Sequence, residues 1–280
     1  MDRPRGANHR WVLKPIPAGG RGVSPKGARF ASLILAAIEA AEGRSEPAIR
    51  RSRHAITYKL QLAGGGSREV DFFVKVYRRA QGLEPLRRLL RSSPIDQAVK
   101  IGSELRKHGF CVAPMLIRGI NLRDGRSMLV TARAHGMPLA EAIAALDVDR
   151  KRHWLEKLGQ EVARLHRAGF IHGDLTPHNL FIAQDPARFV FIDNDRTRRV
   201  RPIGAARRRL RNFVQLGRFD LDRVTRADRM RVLRAYASAL GLRNWRALRN
   251  RAAAMLRERT DRDRTKRHRR PVAGPAPSDR

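Results

Sequence analysis

The side chains best suited to chemistry lie together in His172-Gly173-Asp174-Leu175-Thr176-Pro177-His178-Asn179, with the apolar run Leu180-Phe181-Ile182 directly after them. A carboxylate at Asp174 could accept the proton of an attacking hydroxyl. The amide oxygen of Asn179, on the same loop, could hold a Mg²⁺ ion on a nucleotide's phosphates. That chemistry calls for a second acid on the next strand. Phe189-Val190-Phe191-Ile192 ends in one, Asp193, placed to bind the other metal ion. Asp, Thr, Pro and Asn are also ordinary turn formers, so the HGD triplet alone says little. The loop, its asparagine and a second acid in register point to phosphoryl transfer.

A strand upstream should carry a lysine for the α- and β-phosphates. Phe72-Phe73-Val74-Lys75-Val76 supplies one, an apolar strand with a single inward base, in the manner of the V-A-I-K strand of kinases. A strand lysine is more often a solvated edge residue, but the apolar neighbours and the upstream position favour a role for Lys75. A helix is expected from Ile95 to His108, stopped by Gly109. It carries Glu104 beside Ile101 and Leu105, where a carboxylate would ion-pair with Lys75. A solvated helix carboxylate is an equally open reading of Glu104. No G-x-G-x-x-G covers the phosphates. The first turn reads Arg51-Ser52-Arg53-His54, and its amides, arginines and the Ser52 hydroxyl are the candidate phosphate contacts. Gly64-Gly65-Gly66 comes one turn later, as a flexible hairpin tip. Thr131-Ala132-Arg133 is the expected hinge.

The 280 residues suit one domain of two lobes with tails. Residues 1–45 are expected as a basic arm with a short helix at 30–42, and the Pro-, Gly- and Arg-rich stretch 1–28 as disordered or loosely attached. Ala31 to Ile38 meets Glu39 at once and reads as an amphipathic helix rather than a cleaved signal. A sheet-bearing N-lobe follows over 46–133, with strands at Ala48 to Arg50, Ala55 to Leu62, Glu69 to Tyr77, Phe110 to Ile117 and Ser127 to Thr131. The C-lobe, 134–256, is helical. Its helices are expected near Pro138 to Leu146, Lys151 to Ala168, from Ala205 onward, Ala227 to Leu240 and Trp245 to Glu258. Leu155, Leu158, Val162 and Leu165 are spaced to share one face. His153 and His166 read as ordinary helix histidines, and His172 as a packing residue that holds the loop backbone. Residues 257–280 read as a basic, disordered tail.

The single cysteine, Cys111, excludes an intramolecular disulfide and fits a reducing compartment. No apolar run approaches the length needed to span a bilayer. With 60 Lys and Arg against 26 Asp and Glu, the net charge is +34, which attracts phosphates in nucleic acid, anionic lipid or a phosphorylated glycolipid. Compositional drift also enriches arginine, so charge alone names no partner.

Between Arg196 and Arg211 stand eight arginines and no acid, and no A-P-E triplet follows. Together with Phe73-Val74-Lys75-Val76-Tyr77, Glu104 with Gly109-Phe110 and Pro114, the HGDLTPHN loop and Ile192-Asp193-Asn194-Asp195-Arg196, this makes Ala48 to Leu240 resemble the lipopolysaccharide kinase family, the bacterial inner-core sugar kinases. The resemblance implies an α+β, protein-kinase-like two-lobed fold: a small antiparallel β-sheet N-lobe, a mainly helical C-lobe and a short or absent activation segment. It implies ATP and Mg²⁺ as cofactors and transfer of the γ-phosphate to a Kdo- or heptose-type sugar hydroxyl of an anionic glycolipid. It also implies a cytoplasmic enzyme in peripheral contact with the anionic surface of the inner membrane. In those terms Asp174 is catalytic, Lys75, Glu104 and Ser52 bind ATP, and Asn179 and Asp193 bind metal. Arg207, Arg208 and Arg209 would bind the acceptor.

Two positions depart from the family pattern. Gly173 stands where many members carry Arg, and Asn194 fills the middle of D-x-D. HGD also occurs in aminoglycoside phosphotransferase-like kinases and in the atypical small protein kinases of tRNA modification. A small-molecule or protein acceptor therefore stays open as the alternative. A kinase-shaped nucleic-acid-binding protein without catalysis is the least favoured reading. The base and metal positions are all filled, and three Trp and three Tyr offer few stacking platforms.

Overall fold

The computed structural model describes residues 11–16, 32, 34, 36, 48–52, 54–63, 69–78, 93–184, 187–201, 204–217 and 221–268, without the side chains of 62, 63, 69, 260 and 262–268. In chain order its elements are β1 (Trp11–Pro15), β2 (Arg50–Arg51), β3 (Ala55–Ala63), β4 (Glu69–Tyr77), α1 (Pro94–Lys107), β5 (Cys111–Val112), β6 (Met115–Asn121), β7 (Ser127–Ala132) and β8 (Met137–Pro138). There follow α2 (Leu139–Ala145), α3 (Val148–Arg167), β9 (Phe170–Ile171), β10 (Leu180–Gln184), β11 (Ala187–Phe191), β12 (Arg198–Arg199), α4 (Ala206–Leu216), α5 (Arg226–Ala239) and α6 (Trp245–His268). Two compact units result. One holds the described residues up to Met137 with Leu180–Thr197, and the other holds Pro138–Asn179 with the described residues from Arg198 onward.

The first unit is built on a six-stranded antiparallel sheet of order β1-β6-β7-β4-β3-β2. β4 lies inside it, and its side chains alternate between the two faces. Phe72, Val74 and Val76 are buried on one face with Trp11, Ile34, Leu60, Ile117, Met128 and Val130. The opposite face receives Lys75 and Tyr77, and there Tyr77, Ala55, Met115 and Leu129 pack against Ile95 and Ala98 of α1. α1 starts where its sequence says it should. The Ser93 side chain accepts the Asp96 N–H, Pro94 occupies the first turn, and Ile95, Ala98, Ile101 and Leu105 form the buried stripe.

Three expectations change. The N-terminal stretch contributes β1, antiparallel to β6 from Trp11↔Asn121 to Pro15↔Ile117, with Trp11 only 4% exposed. Its partner strand is far away in sequence, so local composition could not reveal it. The strand expected from Phe110 to Ile117 is two strands: β5 pairs in parallel with β11, and β6 joins the large sheet. Pro114 stands between them and has no N–H for either ladder. The third change is in the tail, where α6 continues through residue 257 to His268. No Gly or Pro occurs before Pro271 in that run, and Arg, Lys and Glu are good helix formers. The expected helix at 30–42 is seen at positions 32, 34 and 36, while its remainder, the Gly64-Gly66 tip and the tail beyond 268 lie outside the described residues.

The second unit is helical. Leu155, Leu158, Val162 and Leu165 are buried on α3 as their spacing predicts. Gly159 lies on the same stripe because a Cβ there would stand 2.3 Å from the Val232 carbonyl oxygen of α5. The Asp228 carboxylate forms a capping box with Thr225 at the start of α5 and also pairs with Lys151 of α3 at 3.0 Å. Among the described residues, no helix is long and apolar enough to cross a membrane.

Candidate active site

The candidate residues fall into two groups, one in each unit. In the first unit the Lys75 ammonium donates to Asp193 Oδ1 and to Asp195 Oδ2, the second at 3.0 Å. Tyr77, two residues along β4 and so on the same face, donates its hydroxyl to Asp195 Oδ2 at 3.3 Å. Burial alone would lower the Lys75 pKa, but the two carboxylates more than offset it and hold the ammonium above its ordinary value. Asp195 is pushed up by burial and then by the Asp193 charge, against the pull of Lys75. Burial and the carboxylates likewise keep the Tyr77 phenol protonated.

The turn that presents both carboxylates is held by its middle residue. Asp193 adopts a left-handed conformation, φ 57° and ψ 51°, and Asn194–Arg196 makes one 3₁₀ turn. The buried Asn194 side chain donates Nδ2 to the Phe191 carbonyl and accepts the Thr197 hydroxyl at Oδ1, while its backbone carbonyl accepts the Thr197 N–H. A non-glycine residue in that region is strained, and such strain persists where surrounding bonds fix it, often at functional sites. Here the asparagine of D-x-D is the staple of the turn.

The ion pair expected between Lys75 and Glu104 is not formed. α1 reaches the turn through Gln97, whose amide donates to the Thr197 carbonyl at 3.4 Å. Glu104 sits two helical turns further on, about 10 Å along the axis, so Asp195 has the place beside the lysine. The Ser52 hydroxyl donates to the Ala55 carbonyl at 2.9 Å and accepts the Ala55 N–H at 3.0 Å, closing its own turn.

In the second unit Gly173 has φ +78°, which an L side chain rarely adopts, and this is a backbone reason for glycine at that position. Asp174 is half-buried between buried His172 and Leu175. Asn179 Nδ2 donates to the Asp174 carbonyl at 2.8 Å and to its Oδ2 at 3.3 Å, which commits the amide's nitrogen end to the loop.

α4 grips this loop from outside. Asn212 Oδ1 accepts the His172 N–H at 3.2 Å, and Gln215 Nε2 donates to the Gly173 carbonyl at 3.1 Å. The same Asn212 oxygen lies 3.0 Å from His166 Nε2, while His166 Nδ1 lies 2.7 Å from the Tyr236 hydroxyl. An oxygen already accepting a backbone N–H can only accept again. His166 Nε2 therefore carries the proton and Nδ1 accepts from Tyr236. Burial lowers the His166 pKa from 6.5 to about 4, opposed by the Asn212 bond and reinforced by the Arg209 charge. Between those pH values the unfolded chain binds the proton and the folded chain does not, so stability falls as pH drops from 6.5 toward 4. The full effect is on the order of 3 kcal/mol. Denaturant midpoints for wild type and His166→Gln across that window should show the steeper acid loss in wild type. Parallel curves would contradict the assignment.

The arginine triplet is split by the helix. Arg207 and Arg208 are exposed, whereas Arg209 lies on the same stripe as buried Asn212, Phe213 and Leu216, close enough for its charge to act on His166 and Tyr236. Sequence reasoning gave no role to Tyr77, Asp195, Asn212 or Gln215. The first two were signalled by period-two neighbours, Lys75-x-Tyr77 and Asp193-x-Asp195. The last two are set by tertiary packing alone.

Residues 74–236 match the model of the "Lipopolysaccharide kinase (Kdo/WaaP) family", which is more than half of the chain. The chain is 29% identical over 150 residues to a probable serine/threonine-protein kinase BUD32 homolog of Archaeoglobus fulgidus, a match covering 50% of this chain and 68% of that protein. A solved structure of WaaP in complex with acyl carrier protein superposes with a TM-score of 0.50 at 22% identity, over 78% of this chain and 91% of that one. At that identity the likeness speaks for the fold, which is protein-kinase-like.

Proposed function

The chain belongs to the lipopolysaccharide kinase (Kdo/WaaP) family, and from that premise we propose that its acceptor is a Kdo- or heptose-type sugar hydroxyl of the lipopolysaccharide inner core. It is an ATP-dependent kinase with a hydroxyl acceptor. In this reading Asp174 orients and deprotonates the acceptor hydroxyl. Lys75 holds the α- and β-phosphates, with Asp195 and Tyr77 fixing its position. The Ser52 hydroxyl closes its own turn with Ala55, and a phosphate contact from that turn stays part of the proposal, while Glu104 makes no ion pair with the lysine among the described residues.

Asn179 and Asp193 are the residues proposed to hold Mg²⁺. The donor set suits it in kind, since carboxylate and amide oxygens are the hard donors that this ion takes. When bound, the ion supplies neutralisation of the nucleotide's phosphate charge.

The observation that favours a sugar over a peptide is the brevity of the chain after Asp193. Before α4 starts at Ala206, the described residues hold a 3₁₀ turn and the two-residue strand β12, paired with β9. An extended peptide has little segment to dock on. The test offers labelled ATP with Mg²⁺ to the full chain against lipid A-core extract, free sugars and protein substrates. Label in the lipid-linked sugar is expected; label confined to proteins would favour the BUD32-like alternative and overturn this reading.

Arg207 and Arg208 are exposed at the start of α4 and can take carboxylate or phosphate groups of such an acceptor bidentately. Replacing both by Ser should raise KM for glycolipid several-fold more than KM for ATP, an estimate from the loss of two charge-assisted contacts. Equal rises for both substrates would indicate a damaged fold. A glycolipid acceptor is presented at a membrane, and the proposal places the kinase peripherally on the cytoplasmic face.

A further inference from the structure

The turn between α5 and α6 gathers side chains that the phosphoryl-transfer site does not use. Leu242, in the turn after Gly241, is 43% exposed, and its neighbour Arg243 is exposed as well. Asn244 accepts the Ala247 N–H and starts α6, whose first residue is half-buried Trp245. Three arginines surround that indole: Arg234 of α5 with its guanidinium carbon 4.5 Å from the ring centroid, Arg246 at 5.3 Å and Arg249 at 6.0 Å. The adjoining groove between α5 and α6 is lined by Trp245, Arg231, Arg234 and Arg249, with Glu156 as its acid. That acid is already engaged, since Arg231 lies 3.5 Å from Glu156 and 3.1 Å from Asp228. Arg234 and Arg246 have no carboxylate partner among the described residues, and Arg249 donates to the neutral Asn250 side chain.

Three like charges around one ring repel one another, and an anion among them removes that cost. A guanidinium that stacks on an indole uses its face, and its N–H edge stays available to phosphate. Those features alone would suit any polyanion. Leu242 distinguishes among them: an exposed apolar side chain three residues before the indole gains nothing from a sugar-phosphate backbone. At a bilayer surface it is buried among headgroups and acyl chains, beside the kind of aromatic residue that favours that interface. The net charge of +34 acts in the same direction.

We propose that Leu242 and Trp245, ringed by Arg234, Arg246 and Arg249, form a docking surface for an anionic lipid bilayer. Leu242 and the indole edge enter the headgroup layer, and the arginines take lipid phosphates. The choice of a bilayer rests on the membrane-borne acceptor proposed above.

The protein carries its own reporter. Trp11 and Trp154 are 4% and 7% exposed, so a solvent-sensitive change in indole emission comes from Trp245. The full chain, without nucleotide, is mixed with vesicles of phosphatidylglycerol and phosphatidylethanolamine, or of phosphatidylcholine alone. Anionic vesicles should blue-shift the emission and shield it from acrylamide, salt should reverse both changes, and neutral vesicles should do neither. Arg234→Ser with Arg246→Ser should weaken partitioning roughly twentyfold to thirtyfold, and Leu242→Glu should also weaken it. Arg106→Ser with Lys107→Ser, which removes the same charge from the exposed end of α1, should do much less. Equal losses from the two charge pairs, or emission that stays unchanged on binding, would overturn the proposal. So would a patch variant that loses affinity for a labelled oligonucleotide and keeps its affinity for vesicles. Transfer to detergent-dispersed glycolipid is followed in the same variants. If vesicle binding behaves as expected and no glycolipid is phosphorylated, the acceptor assignment fails and the docking surface stands.

Discussion

Asp174→Ala should lower turnover by roughly two to four orders of magnitude, the usual contribution of a general base, while nucleotide affinity stays near that of wild type. The separation follows from what Asp174 touches. Its carboxylate meets Asn179 Nδ2 at 3.3 Å, but the shorter bond from that amide, 2.8 Å, goes to the Asp174 backbone carbonyl and survives the substitution. The loop is also held at His172 and Gly173 by Asn212 and Gln215, neither of which depends on the carboxylate. Asp174→Asn, which keeps the shape and loses the base, should fall almost as far as Asp174→Ala. Single-turnover transfer and equilibrium nucleotide binding measure the two quantities separately. Near-wild-type turnover in either variant would remove Asp174 from the chemistry. A parallel loss of nucleotide binding would mean that the loop had been disturbed.

What the sequence made legible was local. The HGDLTPHN motif, the acid two residues after β11 and the apolar stripe of α3 could all be read because each is set by neighbours within a few residues. β4 could be read because alternation with period two marks Lys75 as facing away from Phe72, Val74 and Val76. Non-local pairing stayed hidden. β1 is fixed by β6, and the expected strand at Phe110 to Ile117 divides because β5 belongs to β11. The network from Tyr236 through His166 to Asn212 and His172 joins α5, α3, α4 and the loop, and no spacing rule connects four separate segments. Arg207, Arg208 and Arg209 look equivalent in a string of letters. A helix turns by 100° per residue, which sends the third toward the buried stripe and the first two to solvent.

The partner of Lys75 gives the sharpest test of the site, because sequence and structure name different residues. Lys75→Met should lower activity by about two to three orders of magnitude, the range for removing one preorganised electrostatic contact to the reacting groups. Asp195→Asn keeps the shape of the side chain and its bond to Tyr77 while removing the charge that faces the ammonium at 3.0 Å. If Asp195 acts by holding Lys75, the double variant Lys75→Met with Asp195→Asn should be little worse than Lys75→Met alone. The coupling should fall within the 0.5–3 kcal/mol typical of residues in contact, that is, on the order of two- to a hundredfold in rate. Glu104→Gln should behave differently. Its carboxylate stands two helical turns beyond Gln97, the residue through which α1 meets the Asn194–Arg196 turn, so its loss should be small and should simply multiply with that of Lys75→Met. Asp193→Ala belongs in the same series, because it should abolish Mg²⁺-dependent nucleotide binding, whereas Asp195→Asn should chiefly slow transfer. Strong coupling of Lys75 to Glu104, with none to Asp195, would show that the lysine changes partners when nucleotide binds. The pairing seen here would then be a resting arrangement, and the helix carboxylate would take the orienting role.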